Sequence, residues 1–195
     1  MRQRLNLNHE IAIGHVGLFN KQKNHDFLIE VFQKIHHENK NTRLYLMGIG
    51  PKMAEIKQKV IDNNLTDSVI FLGNINNVSD YLQAMDIMLF PSLFEGLPNV
   101  VVEWQFSGLP AIISDKITTE CIVSNFVNIL PIDNGPELWS EEFKKITINS
   151  VDKRNKLAED ACKLLKNNGF ELHANTKILE NIYIKKVKEY NEKNT

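Results

Sequence analysis

Apolar residues in this chain fall into short continuous runs, separated by longer stretches in which apolar positions recur every three or four residues. The runs cover Ile11 to Leu18, Arg43 to Gly48, Val69 to Gly73, Ile87 to Phe90, Ala111 to Ser114 and Asn128 to Leu130. Continuous rather than alternating hydrophobicity marks strands that are covered on both faces. Between the runs, Phe27, Leu28, Val31, Phe32 and Ile35 share one stripe, as do Met53, Ile56, Val60 and Ile61. Such stripes predict amphipathic helices that each cover a sheet face. Strand alternating with helix predicts an α/β chain: a Rossmann-like, doubly wound parallel sheet of about six strands with helices on both faces. From Glu137 onward the pattern is mostly helical, with Leu157, Ala161, Leu164 and Leu165 on one stripe and a break at Asn168 and Gly169. These C-terminal helices are expected to pack outside the sheet, and the Lys/Glu/Asn-rich end after Ile184 to fray.

Composition narrows the function classes. A length of 195 residues with 43% hydrophobic content gives one domain with a proper core. Lys and Arg number 23 against 24 Asp and Glu, scattered except for Lys185, Lys186 and Lys188, so no footprint for nucleic acid exists. Cys121 and Cys162 lie far apart without a C-x-x-C or clustered histidines, so neither a disulfide framework nor a metal site is expected. A cytoplasmic, reducing compartment is the expectation. No apolar run approaches the roughly 18 residues of a membrane span, and Met1 to Asn6 lack the core of a signal peptide. Peripheral association with a membrane surface stays open.

The chemistry concentrates in residues 90 to 110, F-P-S-L-F-E-G-L-P-N-V-V-V-E-W-Q-F-S-G-L-P. A strand ending at Phe90 and a helix over Asn99 to Ser107, with Pro98 leading into it, place Glu95 at the carboxyl edge of the sheet. Glu103 then sits about one and a half turns into the helix, and both carboxylates can line one crevice. Glu95 has two readings: a solvated partner of the helix N-terminus, or a ligand contact. Val100, Val101, Val102 and Trp104 around Glu103 predict that its carboxylate is partly buried and needs donors. A vicinal diol on a sugar or ribose supplies two, and a neighbouring backbone group is the alternative.

The N–H groups of Gly96, Leu97, Asn99 and Val100 form an anion site at the helix start, suited to phosphate although water fills most such sites. Gly48 to Pro51 form a second tight turn at the same edge, too short for a dinucleotide fingerprint, and no P-loop occurs. Lys23, in a polar loop, is either solvated or a point charge for a phosphate. His25 and Asp26 are expected to cap the following helix, His36 and His37 to face solvent, and Trp104 and Phe106 to join the core.

Together these residues resemble the C-terminal domain of retaining glycosyltransferases of family 4, which is one half of a two-domain GT-B fold. The segments that carry the resemblance are Gly14 to His25 (GHVGLFNKQKNH), Leu44 to Pro51 (LYLMGIGP), Val69 to Gly73 (VIFLG) and Asp86 to Pro98 (DIMLFPSLFEGLP), followed by Glu103 and Ser107 to Pro110 (SGLP). Ser114 to Glu120 (SDKITTE) adds a likeness to bacterial enzymes of capsular and extracellular polysaccharide synthesis.

The resemblance implies a donor site for a UDP-sugar or GDP-sugar, with no cofactor and no metal. Within it, Glu95 contacts sugar hydroxyls, Glu103 holds the ribose and Lys23 sits on the diphosphate. The N–H groups of Gly96, Leu97, Asn99 and Val100 take phosphate and sugar, and the turns at Gly48 and Gly73 approach the base. It also implies transfer of a hexosyl group with retention to a glycan or lipid-linked acceptor, the leaving diphosphate helping to deprotonate the acceptor hydroxyl. Residues 1–9 would be a linker, 10–170 the nucleotide-sugar domain, and 171–195 a crossover helix with a frayed tail. The family's N-terminal acceptor domain is not among these 195 residues, so the chain looks like half an enzyme. Such an enzyme is expected in the cytoplasm, peripheral to the inner face of the membrane. Leu172, Ile178, Leu179, Ile182 and Tyr183 offer an apolar surface for the missing partner.

One position departs from the family pattern. Leu18 stands where members usually carry arginine. A charge-assisted hydrogen bond contributes about 1.5 to 3 kcal/mol, so donor binding or turnover is expected to be weaker by roughly one to two decades. A non-catalytic nucleotide- or partner-binding domain of the same fold is the alternative reading.

Overall fold

In the computed structural model, which describes residues 1–193, each apolar run forms a strand of one parallel sheet. The strands are β1 (Ile11–Val16), β2 (Thr42–Met47), β3 (Val69–Gly73), β4 (Ile87–Phe90), β5 (Ala111–Ser114) and β6 (Val127–Leu130). The helices are α1 (His25–Glu38), α2 (Met53–Asp62), α3 (Val78–Leu82), α4 (Asn99–Phe106), α5 (Pro136–Lys145), α6 (Val151–Asn167) and α7 (Leu172–Lys193). Strands β3, β4 and β5 have the expected bounds, β2 and β6 differ by one residue, and β1 ends two residues early. The Gly17 N–H still bonds Met47 O, but the chain then turns off the sheet and Phe19 N–H reaches Ile49 O.

The strand order is β3-β2-β1-β4-β5-β6. Ile13 at the centre pairs with Leu44 of β2 on one side and Ile87 of β4 on the other. From β1 the chain winds outward to β3, then returns to β4 and winds the opposite way. The loops after β1 and β4 therefore part at the carboxyl edge and leave a crevice, the place where open α/β sheets take ligands.

Alternate residues of each central strand feed two separate cores. Ile87 and Leu89 join Leu44, Leu46, Phe32 and Trp139 on the face covered by α1, α2 and α5. Met88 and Phe90 join Tyr45, Met47, Trp104 and Leu165 on the face of α3, α4 and α6. Of the C-terminal helices, α5 packs outside on α1 and α6 on α4.

At the opposite, amino edge, two arginines close the structure. Arg2 donates to Ala84 O, Glu10 O and Asp86 Oδ2, the last at 2.9 Å. Arg154 donates to Ser107 O at 2.9 Å, Met85 O at 2.8 Å and Leu82 O at 2.7 Å, so one guanidinium ties the ends of α3 and α4 to α6. A planar fork with five donors suits this task, because it can serve several carbonyls at once.

Helix α7 leaves Leu172, Ile178, Leu179, Ile182 and Tyr183 exposed. It continues as helix past Ile184 to Lys193, and Asn194 and Thr195 lie outside the described residues. No helix among the described residues is long and apolar enough to cross a membrane.

Candidate donor-binding site

The two loops of the crevice are tied to each other. Lys23 Nζ lies 2.6 Å from Glu95 Oε1, with both side chains mostly shielded from solvent. The lysine also sits over the Phe90 ring, 4.6 Å from its centroid. Asn20 Oδ1 accepts the Lys23 N–H at 3.0 Å and holds the loop, while Asn24 adopts a left-handed conformation at φ 52°. That conformation is tolerated by asparagine better than by most residues. It separates two fates, since Lys23 meets Glu95 across the crevice while His25 is buried.

Helix α4 starts as the sequence suggests, with a shift in the role of its proline. Pro98 is the capping residue rather than part of the first turn, and its carbonyl accepts the Val101 N–H at 3.0 Å. Among the described residues, nothing takes the N–H groups of Gly96, Leu97, Asn99 or Val100. A Cβ built on Gly96 would meet no atom within 4 Å. Four amides and the positive end of a helix thus face solvent beside the Lys23–Glu95 pair.

Glu103 is exposed, not partly buried as expected. Asn99, Glu103 and Phe106 recur at helical spacing on the one face of α4 that the core does not cover. Phe106 is correspondingly 36% exposed rather than a core residue, whereas Trp104 is fully buried. Protein packed alongside still desolvates the Glu103 carboxylate and raises its pKa above the usual value.

The turns at Gly48 and Gly73 meet each other, the Gly48 N–H donating to Gly73 O at 2.8 Å. Gly48 has φ 144°, and a Cβ there would lie 2.0 Å from Gly17 O. Glycine is required because the backbones after β1 and β2 pass in contact.

Beneath Lys23 lies a buried histidine pair that the sequence reading missed. His25 does not cap α1. Its ring stacks on Phe19 at 4.0 Å between centroids and meets His15 edge-on at 4.6 Å. Asn24 holds the capping position without a side-chain bond, and Asp26 instead pairs with Lys52 at 2.9 Å. Leu89 O lies 2.8 Å from His15 Nδ1, and since a carbonyl only accepts, that nitrogen carries the proton. Burial, then the charges of Lys23 and Lys52, lower the His25 pKa to about 4. Burial and His25 push His15 well below the usual range. Both rings are neutral at pH 7, which leaves the loop's positive charge at its surface lysines. His36 departs in the same direction: half-buried, it stacks on Phe32 and contacts Thr42 Oγ1 at 3.1 Å, while His37 is exposed.

A family model described as glycosyl transferases group 1 matches residues 10–167. The chain belongs to this family. It is 33% identical over 174 residues to the putative glycosyltransferase EpsF of Bacillus subtilis, covering 89% of this chain and 44% of that protein. It is 25% identical over 178 residues to the capsular polysaccharide biosynthesis glycosyltransferase CapH of Staphylococcus aureus, covering 88% and 47% respectively. The chain therefore spans about half the length of the curated relatives it matches. Among solved structures, Anabaena HepE in complex with UDP and glucose superposes with a TM-score of 0.77 at 18% identity, over 93% of this chain and 50% of HepE. This likeness shows that the group 1 chain has the fold of one half of a GT-B protein, in agreement with the sequence reading.

Proposed function

We propose that this group 1 domain binds a nucleoside-diphosphate sugar and forms the donor half of a retaining glycosyltransferase. The observation that carries the reading is the Lys23 amine, 2.6 Å from Glu95, beside the four unpaired N–H groups that open α4. An amine and a helix N-terminus suit a diphosphate, and preorganised positive dipoles stabilise the charge that develops as it leaves. In this assignment Lys23 contacts the diphosphate, Glu95 the sugar hydroxyls and Glu103 the ribose diol. The N–H groups of Gly96, Leu97, Asn99 and Val100 hold phosphate and sugar, and the joined Gly48 and Gly73 turns flank the base. No metal takes part.

The hexosyl group passes to a glycan or lipid-linked acceptor held by a second, N-terminal domain, with the exposed apolar residues of α7 as its packing surface. The HepE complex with UDP and glucose supports the donor class, and the CapH relative supports polysaccharide biosynthesis. Cytoplasmic placement against the inner membrane face goes with this reading.

Leu18, 58% exposed in the loop after β1, favours a second reading, a binding module without catalysis. Lys23 is already matched by Glu95, and Glu103 adds further negative charge, so a diphosphate relies heavily on the amide groups. Calorimetry with UDP, GDP and their sugars separates the readings. Leu18→Arg is expected to tighten diphosphate binding by about one to two decades. Glu103→Ala is expected to erase discrimination between UDP and 2′-deoxy-UDP. Failure of every nucleoside diphosphate to bind at millimolar concentration would overturn the donor-site reading. Binding that ignores both substitutions supports the module.

A further inference from the structure

Glu95 is held from outside its own loop. Among the described residues, the hydrogen bonds that fix positions 93 to 95 come from Gln22 and Lys23 on the loop after β1. Gln22 O accepts the Leu93 N–H at 2.8 Å, Gln22 Nε2 donates to Phe94 O at 3.0 Å, and Lys23 pairs with Glu95. The side-chain amide is oriented without ambiguity, because only its NH2 can face a carbonyl. The Phe94 carbonyl lies in the same rigid plane as the Glu95 N–H and Cα. Whatever holds that carbonyl also sets the root of the Glu95 side chain.

We propose that Gln22 is a positioning residue for the sugar end of the donor, and this rests on the donor-site reading above. Its amide clamps the Phe94–Glu95 peptide so that the carboxylate stays where a hexose hydroxyl can reach it. The ion pair alone does not do this, since a lysine offers a mobile point charge rather than a fixed direction. No hydrogen bond links Gln22 to Glu103, Gly48 or Gly73, among the described residues, so the clamp acts on the sugar and leaves the nucleoside end alone.

Titration calorimetry of the full chain with UDP, GDP, UDP-glucose and GDP-mannose reads this out as a ratio. Wild type is expected to bind one nucleotide sugar about tenfold more tightly than its own diphosphate, the effect of one hydrogen bond to a charged group. Gln22→Ala should erase that ratio while diphosphate affinity stays within about twofold. Gln22→Glu, equal in size but turning an oxygen toward the Phe94 carbonyl, should erase the ratio too, while its added charge weakens diphosphate and nucleotide sugar together. In a Glu95→Ala background neither substitution should change the ratio further, because the clamp acts only through Glu95.

The proposal is overturned if Gln22→Ala keeps the ratio, if it weakens diphosphate and nucleotide sugar equally, or if wild type shows no ratio. Absence of any diphosphate binding by wild type overturns the donor-site reading instead. Thermal unfolding of each variant confirms that it is folded. The clamp bond is exposed, so little stability is at stake.

Discussion

The two edges of the sheet treat their polar groups in opposite ways. At the amino edge Arg2 and Arg154 each serve several backbone carbonyls. At the carboxyl edge the amides of Gly96, Leu97, Asn99 and Val100 have no partner among the described residues, and the adjoining Glu95 is paired with a lysine. Arginine's rigid fork serves fixed carbonyls at the amino edge, and a movable amine paired with a single carboxylate stands at the carboxyl edge. The two edges are thus distinguishable by which of their backbone groups are already occupied, and the proposed donor site lies at the edge with unoccupied amides.

The largest test of this contrast uses acid. His15 and His25 lie under the carboxyl edge and must stay neutral to stay buried. An unfolded histidine titrates near 6.5, whereas His25 in the fold does so at about 4. The unfolded chain therefore binds more protons between these values. Stability is full above pH 6.5 and falls as the pH drops toward 4, by about 3 kcal/mol for this residue alone. Urea unfolding at stepped pH measures the loss. Histidine NMR titration in the folded state should show both rings silent through pH 6.

Next in size, Arg154→Ala leaves carbonyls at the ends of α3 and α4 without their donor. It is expected to cost about 2 kcal/mol in urea unfolding while leaving nucleoside-diphosphate affinity unchanged. Lys23→Ala acts on binding: loss of one charge-assisted contact weakens diphosphate affinity about tenfold. It also leaves the shielded Glu95 carboxylate unpaired, at a cost of about 1 to 3 kcal/mol in stability. If Arg154→Ala lowered affinity as well as stability, the division between edges would not hold.

Most of the fold was legible because buried parallel strands are apolar on both faces and need no distant information. The continuous run from Ile87 to Phe90 predicts such a strand unaided, and it does feed two cores. The crevice was legible too, since strand, loop and helix place Glu95 at the carboxyl edge. Its pairing with Lys23 was not, because 72 residues separate the partners and the contact depends on how two loops turn. His25 was misread because Asn24, His25 and Asp26 have the composition of a helix cap. Its burial follows from Phe19 folding back beneath it, a tertiary event. Glu103 was misread because apolar neighbours in sequence do not imply apolar neighbours in space, and α4 keeps one face open at Asn99, Glu103 and Phe106.

Gly96 has a practical consequence. Its missing side chain faces open space at the mouth of the crevice, while native Cys121 is buried and Cys162 half-buried. Gly96→Cys would therefore supply an accessible thiol for an environment-sensitive fluorophore beside the proposed donor site. The domain would then serve as an optical sensor whose emission reports occupancy directly, with no transfer reaction and no acceptor required.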